Sequence, residues 1–245
     1  MKIAIISGGS RGIGAEISKT FMEAGYLVII GSRSEPKFEL SNGSSWVMID
    51  ATTQTGHEKL FAEAKNKAGF IETYINNVGY SEWRSIEDVD EAFITKMFSS
   101  NIISTIYGCK VAAHNLTAGS SIINISSIAG KRGTKNNSIY CATKFGVNGI
   151  TQALAKELGK KGIRVNAICP VLIETDGLLE ALGKKYSPVT DGVENFIKTF
   201  ISEQVALTSL PTSQDVAELS LFLSGPTSSS ITGQCINIDA GVIPS

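Results

Sequence analysis

Histidine is nearly missing from this chain of 245 residues: His57 and His114 are the only two, too few for a metal site built on imidazole. Cysteine is sparse and scattered. Cys109, Cys141, Cys169 and Cys235 lie apart in apolar or helical-looking segments, with no CxxC pair and no histidine beside them. That spacing argues against a zinc motif and a disulfide framework, and it predicts structural thiols in a reducing compartment. No metal is expected. Charge of one sign is lacking too, since 22 basic residues against 23 acidic ones leave a net charge of −1 and no long-range pull on nucleic acid or anionic lipid. No apolar run approaches the ~18 residues of a membrane span, and the opening MKIAIISGGS turns to glycine too early for a signal peptide. The expectation is a cytoplasmic protein with neither nucleic-acid nor membrane partners. Nor is there any repeat, linker or low-complexity tract, so residues 1–245 are expected to form a single domain around one core.

What the chain does contain is an alternation. The runs KIAIISGG, YLVIIGS, SSWVMID, TYINNVG, SSIINISS, RVNAICP and QCINIDAG read as strands that are apolar almost throughout, as expected when both faces of a sheet are covered. Between them GAEISKTFMEAG, TGHEKLFAEAKNKAG, DEAFITKMFSSNIISTIYGCKVAAHNL, YCATKFGVNGITQALAKELGKKG and SQDVAELSLFLSG carry apolar residues at helical spacing. Strands alternating with helices predict an α/β fold with a doubly wound parallel sheet, helices on both faces. Two intervals break the rhythm. Between Ser34 and Ser45 the chain is too short and polar for a covering helix, so a loop is expected there, leaving one sheet edge thinly covered. Residues 176–211 hold amphipathic pieces, GLLEALGKKY and VENFIKTFISEQ, beyond the end of a strand, where ligands of open α/β sheets sit. They are a candidate substrate-binding lid.

The first strand runs into SGGSRGIG, Ser7 to Gly14, and then into a helix. Glycine at that place lets the backbone approach a pyrophosphate, and the helix start offers unpaired N–H groups and the positive end of its dipole. A tight turn alone would also use glycine. Further on, SIYCATK puts Tyr140 and Lys144 on one helical face, which fits either a half-buried ring beside a solvated amine or an acid with the cation that tunes it.

Taken together, these motifs resemble those of the short-chain dehydrogenases/reductases. SGGSRGIG looks like that family's TGxxxGxG turn with Ser7 in the threonine's place; Asp50, NNVG at Asn76 to Gly79, Asn101, NISS ending at Ser127, and Tyr140 with Lys144 follow in the family's order. The likeness continues through RVNAICP and IETD to ITGQCINIDAG. It implies a Rossmann-type dinucleotide site: Gly8, Ser10, Arg11, Gly12, Ile13 and Gly14 at the pyrophosphate, and Asp50 and Ala51 flanking the adenine. Asn77, Val78 and Gly79 would line the ribose side, with Pro170, Ile173 and Thr175 near the nicotinamide. It also implies Tyr140 as the proton donor and acceptor, Ser127 as the hydroxyl that holds the substrate oxygen, Lys144 as the tuning cation and ribose ligand, and Asn101 in a proton relay. Ser127 rather than Ser126 has the family's spacing of thirteen from the tyrosine. Strand two ends in GSRS, where the NAD-preferring members carry an acid, so Ser32 and Arg33, with Arg11 of the glycine turn as a further candidate, favour the 2′-phosphate of NADP(H).

Three departures stand out. Val171 takes the place of a glycine after Pro170, which is expected to restrict the backbone facing the nicotinamide. Val78 for alanine and Ala240 for glycine read as mild. The missing helix after Arg33 is similar to dihydrodiol and dihydrobenzoate dehydrogenases of the family. The nearest general likeness is to 3-oxoacyl-carrier-protein reductases, which implies an oxidoreductase acting on a keto or hydroxy compound, an acyl thioester among the possibilities. A sugar, steroid, polyketide or dihydrodiol substrate is the alternative, and a binding-only nucleotide protein a third. Apolar helix faces around Asn101 and Tyr140 imply a homo-oligomer, dimer or tetramer.

Overall fold

The computed structural model describes residues 1–244. Seven strands, β1 (Lys2–Ser7), β2 (Leu27–Ser32), β3 (Ser45–Met48), β4 (Phe70–Asn76), β5 (Ser121–Ile125), β6 (Arg164–Pro170) and β7 (Cys235–Ile238), form one parallel sheet in the order β3-β2-β1-β4-β5-β6-β7. They are the seven runs read from the sequence. Their continuous apolarity has the expected cause: along β1, Ile3 and Ile5 point into one core while Ala4 and Ile6 point into the other. Each fully buried isoleucine contributes roughly 1.5–3 kcal/mol.

Helices α1 (Gly12–Glu23) and α8 (Ser213–Ser224) cover one face through Ile17, Phe21, Val216 and Leu223. The other face is covered by α2 (Gln54–Lys65), α4 (Ser104–Asn115) and α5 (Ser138–Gly159), through Leu60, Phe61, Ala112 and Leu158. The strand order reverses between β1 and β4, so a crevice opens beyond their carboxyl ends.

No helix joins β2 to β3. The edge is nevertheless not bare, because the connecting loop lays Phe38 and Leu40 against the α1 side of the core, while Ser44 Oγ accepts from the Val28 N–H at 2.9 Å. Two hydrophobic side chains do part of a helix's work. The long segment read as one helix around Asn101 is interrupted: α3 (Glu91–Phe98) passes through a π-helical turn, Ser99–Ile103, into α4. Residues 176–211 contain α6 (Asp176–Leu182) and α7 (Val193–Gln204).

The two family glycines that this chain lacks behave differently from expectation. Val171 keeps a negative φ and donates its N–H to the Ile238 carbonyl at 3.0 Å, so a β-branched residue fits there without strain. Ala240 has φ +50°. Its carbonyl accepts from the Ala206 and Leu207 N–H groups at 2.9 and 3.2 Å, which hold it in the left-handed region that costs a non-glycine residue roughly 1–2 kcal/mol. That replacement is therefore not mild.

Candidate active site

The glycine turn after β1 is packed to a density that excludes side chains. Gly8 has φ +73°, and a β-carbon on Gly14 would lie 2.1 Å from the Gly8 carbonyl oxygen and 2.4 Å from the Asn77 amide nitrogen. Hydrogen bonds create this crowding. The Gly8 N–H donates to Gly31 O at 2.6 Å, Asn77 Nδ2 donates to Gly8 O at 2.9 Å, and Ser18 Oγ reaches Gly9 O at 3.0 Å and Gly14 O at 2.8 Å. Ser18 was not singled out from the sequence; a serine one helical turn after Gly14 is the signal that could have marked it. Arg11, at the N-cap of α1, is exposed and extended, and no side chain caps that helix end. Bare backbone at an uncapped helix start fits a pyrophosphate.

At the end of β2 the two candidate 2′-phosphate ligands differ. Arg33 is exposed. The Ser32 hydroxyl donates to the Ser34 carbonyl at 2.7 Å and accepts from Trp46 Nε1 at 2.9 Å, so its hydrogen is already committed. Asp50 lies beyond β3, its carboxyl held below the usual range first by the Thr52 N–H and hydroxyl, at 2.9 and 2.8 Å, and further by the positive charge of Arg33. Beside it Ala51 is buried, and its carbonyl accepts from His57 Nε2 at 2.8 Å. That bond leaves His57 Nδ1 to accept from the Tyr74 hydroxyl, and burial keeps the imidazole neutral by lowering its pKa. His57 therefore braces the turn after β3 against β4.

The residues expected to react meet at the ends of β4 and β5. The helical spacing of Tyr140 and Lys144 holds, with the Lys144 ammonium 5.7 Å from the Tyr140 ring centre. Lys144 is buried, and its Nζ donates to the Ile125 carbonyl at 3.0 Å. Gly79 marks the gap between two partners, because a β-carbon there would lie 3.2 Å from Asn101 Oδ1 and 3.7 Å from Lys144 Nζ. Asn101, fully buried in the π-helical turn, has its amide clamped by one residue: Oδ1 accepts from the Tyr80 N–H and Nδ2 donates to the Tyr80 carbonyl, both at 2.9 Å. A π turn inserts one extra residue and often occurs at functional sites.

The two serines part company. Ser126 is buried, its hydroxyl donating to the Lys144 carbonyl at 3.3 Å. Ser127 is half-buried, accepts from the Ala129 N–H at 3.1 Å, and makes only a long bond, 3.4 Å, to the Pro170 carbonyl. It is the one that bears on Tyr140: burial pushes that phenol up to about 12, and the Ser127 hydroxyl works against the shift. Burial pushes Lys144 the other way, down to about 8. Both groups are thus disfavoured as ions.

Val78 is half-buried against the core, Ile13 and Ile173 pack into the core on the α1 side, and Ser10 is half-buried in the turn. Thr175 caps α6 by accepting from the Leu178 N–H at 3.3 Å, leaving its hydroxyl proton free, and a β-carbon on Gly12 would lie 3.5 Å from its methyl group. The glycine turn and the start of α6 therefore face each other.

A family model described as enoyl-(acyl carrier protein) reductase matches residues 8–243. The chain is 30% identical over 257 residues to L-2,3-butanediol dehydrogenase of Corynebacterium glutamicum, covering 99% of this chain and 98% of that one. It is 31% identical over 252 residues to a 3-oxoacyl-(acyl-carrier-protein) reductase of Chlamydia muridarum, covering 98% and 97%. Among solved structures, the ligand-free aldohexose dehydrogenase of Thermoplasma acidophilum superposes with a TM-score of 0.89 at 26% identity, covering all of this chain and 96% of that one. With these matches running the length of the chain, the protein belongs to the short-chain dehydrogenase/reductase family.

Proposed function

We propose that this oxidoreductase uses NADP(H) to interconvert a carbonyl and a hydroxyl group on a small molecule, with residues 176–211 as the lid over that substrate. The observation that carries the reading is the convergence of Tyr140, Lys144, Ser127 and Asn101 beside a glycine turn packed too tightly for side chains. The turn from Gly8 to Gly14, with Ser10, Arg11, Gly12 and Ile13, would hold the pyrophosphate. Asp50 and Ala51 would flank the adenine, and Arg33 would meet the 2′-phosphate, with Ser32 supplying shape more than hydrogen bonds. Asn77, Val78, Gly79, Tyr140 and Lys144 would meet the second ribose, and Pro170, Ile173 and Thr175 the nicotinamide. When bound, that ring supplies or accepts the hydride.

The side chains divide the remaining work. In reduction the Tyr140 hydroxyl gives its proton to the substrate oxygen, and the Ser127 hydroxyl, leaving its long bond to Pro170, donates to the same oxygen and fixes it. The Lys144 ammonium offsets the charge left on the phenol. A phenol raised to about 12 is protonated throughout the neutral range, so it stands ready as an acid. Oxidation needs the phenolate, which is scarce there, and the lysine charge that would stabilise it is itself lost as pH rises through about 8. In oxidation the same hydroxyl, once deprotonated, takes the proton back. The protein is cytoplasmic and assembles as a homo-oligomer in this reading.

NADPH oxidation over a panel of vicinal diketones and 3-oxoacyl thioesters, together with NADP+ reduction by aldoses, tests it. Tyr140→Phe is expected to lower turnover at least ~100-fold while NADPH binding persists. A wild-type protein inert across the panel, or a mutant as active as wild type, would overturn it.

A further inference from the structure

After β4 the chain runs through Tyr80 to Asp88 before reaching α3, and one carboxylate in that stretch gathers an unusual number of donors. Glu82 Oε2 accepts from Lys184 Nζ at 2.8 Å and from the Tyr80 hydroxyl, while Glu82 Oε1 accepts from Arg84 Nη2 at 2.9 Å. Its side chain is only 12% exposed. Burial alone would push the carboxyl up, yet these donors hold it down to about 2.

The partners come from different bodies. Lys184 stands two residues beyond the end of α6, inside the 176–211 segment. Arg84 anchors the loop to α3, pairing with Asp90 at 3.3 Å and lying 4.1 Å over the Phe93 ring, and its N–H donates to the Asn136 carbonyl at 2.6 Å. Tyr80 is pinned as well, with the Lys96 ammonium 3.7 Å from its ring centre. Its backbone N–H and carbonyl are the groups that clamp the Asn101 amide. Trp83, 7% exposed, is buried against Ala181 and Leu182 of α6.

We propose that Glu82 is a positioning residue: it latches α6 to the loop after β4 through Lys184 and, through Tyr80, fixes the amide of Asn101, so that lid closure and the catalytic arrangement are held by one carboxylate. Lys184 also donates to the Tyr80 hydroxyl at 3.0 Å, so the lysine, the carboxylate and the phenol form one cluster with Glu82 at its centre. This rests on the lid and Asn101 roles proposed above.

The test separates the latch from the chemistry by using Trp83 as reporter in a Trp46→Phe background, since these are the chain's two tryptophans. In Glu82→Gln and in Lys184→Met, Trp83 emission is expected to shift to the red and acrylamide quenching to rise at least ~2-fold, with Lys184→Arg restoring the parent behaviour. With an active ketone, Lys184→Met and Glu82→Gln are both expected to raise KM at least ~5-fold and to lower kcat, Glu82→Gln the more, because the carboxylate alone joins Tyr80, Lys184 and Arg84. Should Glu82→Gln fail to fold by circular dichroism, Lys184→Met carries the same emission test. Unchanged Trp83 emission and quenching in Lys184→Met would overturn the latch, whatever happens to activity. A wild-type kcat in Glu82→Gln would overturn the link from Glu82 through Tyr80 to Asn101. If no panel substrate turns over, the functional reading falls and the emission arm still decides the latch.

Discussion

Ser126 and Ser127 stand one position apart, and their surroundings already assign them different work. Ser126 is spent on the Lys144 backbone, whereas Ser127 keeps only a long bond and opposes the rise of the Tyr140 pKa. Ser127→Ala is therefore expected to cut kcat/KM for carbonyl reduction by at least ~30-fold, because it removes one of two donors to the developing oxyanion, and Ser126→Ala by less than ~3-fold. Steady-state kinetics of both mutants decides it, and a reversed order would place the wrong hydroxyl on the substrate. Cofactor choice also rests on one residue. Arg33 is exposed at the end of β2, near enough to Asp50 to help hold its carboxyl down, and no acid stands where a free 2′-hydroxyl would seek one. One charge-assisted hydrogen bond contributes roughly 1.5–3 kcal/mol, about 10- to 150-fold in affinity, so NADPH should bind at least ~10-fold more tightly than NADH. Arg33→Asp should remove that preference. Fluorescence titrations at fixed ionic strength measure both, and equal affinities in the wild type would show Arg33 turned to solvent.

Elements are where the sequence was most legible and where its silences are instructive. All seven strands follow from apolar runs of four to eight residues, because a strand covered on both faces has no polar face to blur the signal. The start of α5 at Ser138 put Tyr140 and Lys144 on one face as helical spacing requires. The π turn at Asn101 was not legible, since DEAFITKMFSSNIIS keeps its apolar spacing straight through the interruption. Nor was the role of Phe38 and Leu40, because a polar loop hides two anchoring side chains from any periodicity measure. The strain at Ala240 was hidden as well, as φ cannot be read from an alanine. That strain gives a prediction at this scale: Ala240→Gly relieves the left-handed cost of roughly 1–2 kcal/mol and loses about 0.5–1 kcal/mol in chain entropy, for a net gain of up to about 1.5 kcal/mol. Chemical denaturation should show a higher midpoint at unchanged slope. A lower midpoint would mean that the bonds from Ala206 and Leu207 already absorb the strain.

At the scale of the whole molecule, apolar surface remains that the folded chain does not cover. Ile94 on α3, Ile103 at the end of the π turn, Ile106 on α4 and Phe145 on α5 are between 36% and 50% exposed, and α3, the π turn and α4 each contact α5. Scattered single hydrophobics are normal on a monomer, but four large side chains on adjoining helices are characteristic of a face that another molecule covers. A second copy is the simplest occupant, since helix packing around a two-fold axis lets one patch serve both partners. With a net charge of −1, little electrostatic repulsion stands against such pairing. The face matters for function because α5 carries Tyr140 and Lys144, and the π turn before α4 carries Asn101, so their outer surfaces would be braced by the partner. Sedimentation velocity at micromolar concentration is expected to give a dimer or tetramer. Ile106→Glu combined with Phe145→Glu should shift it towards monomer, because each would bury an unpaired carboxylate, and should lower thermal stability through the loss of association. A wild-type monomer would assign the patch to something other than self-association, and a double mutant still fully assembled would move the interface to another face.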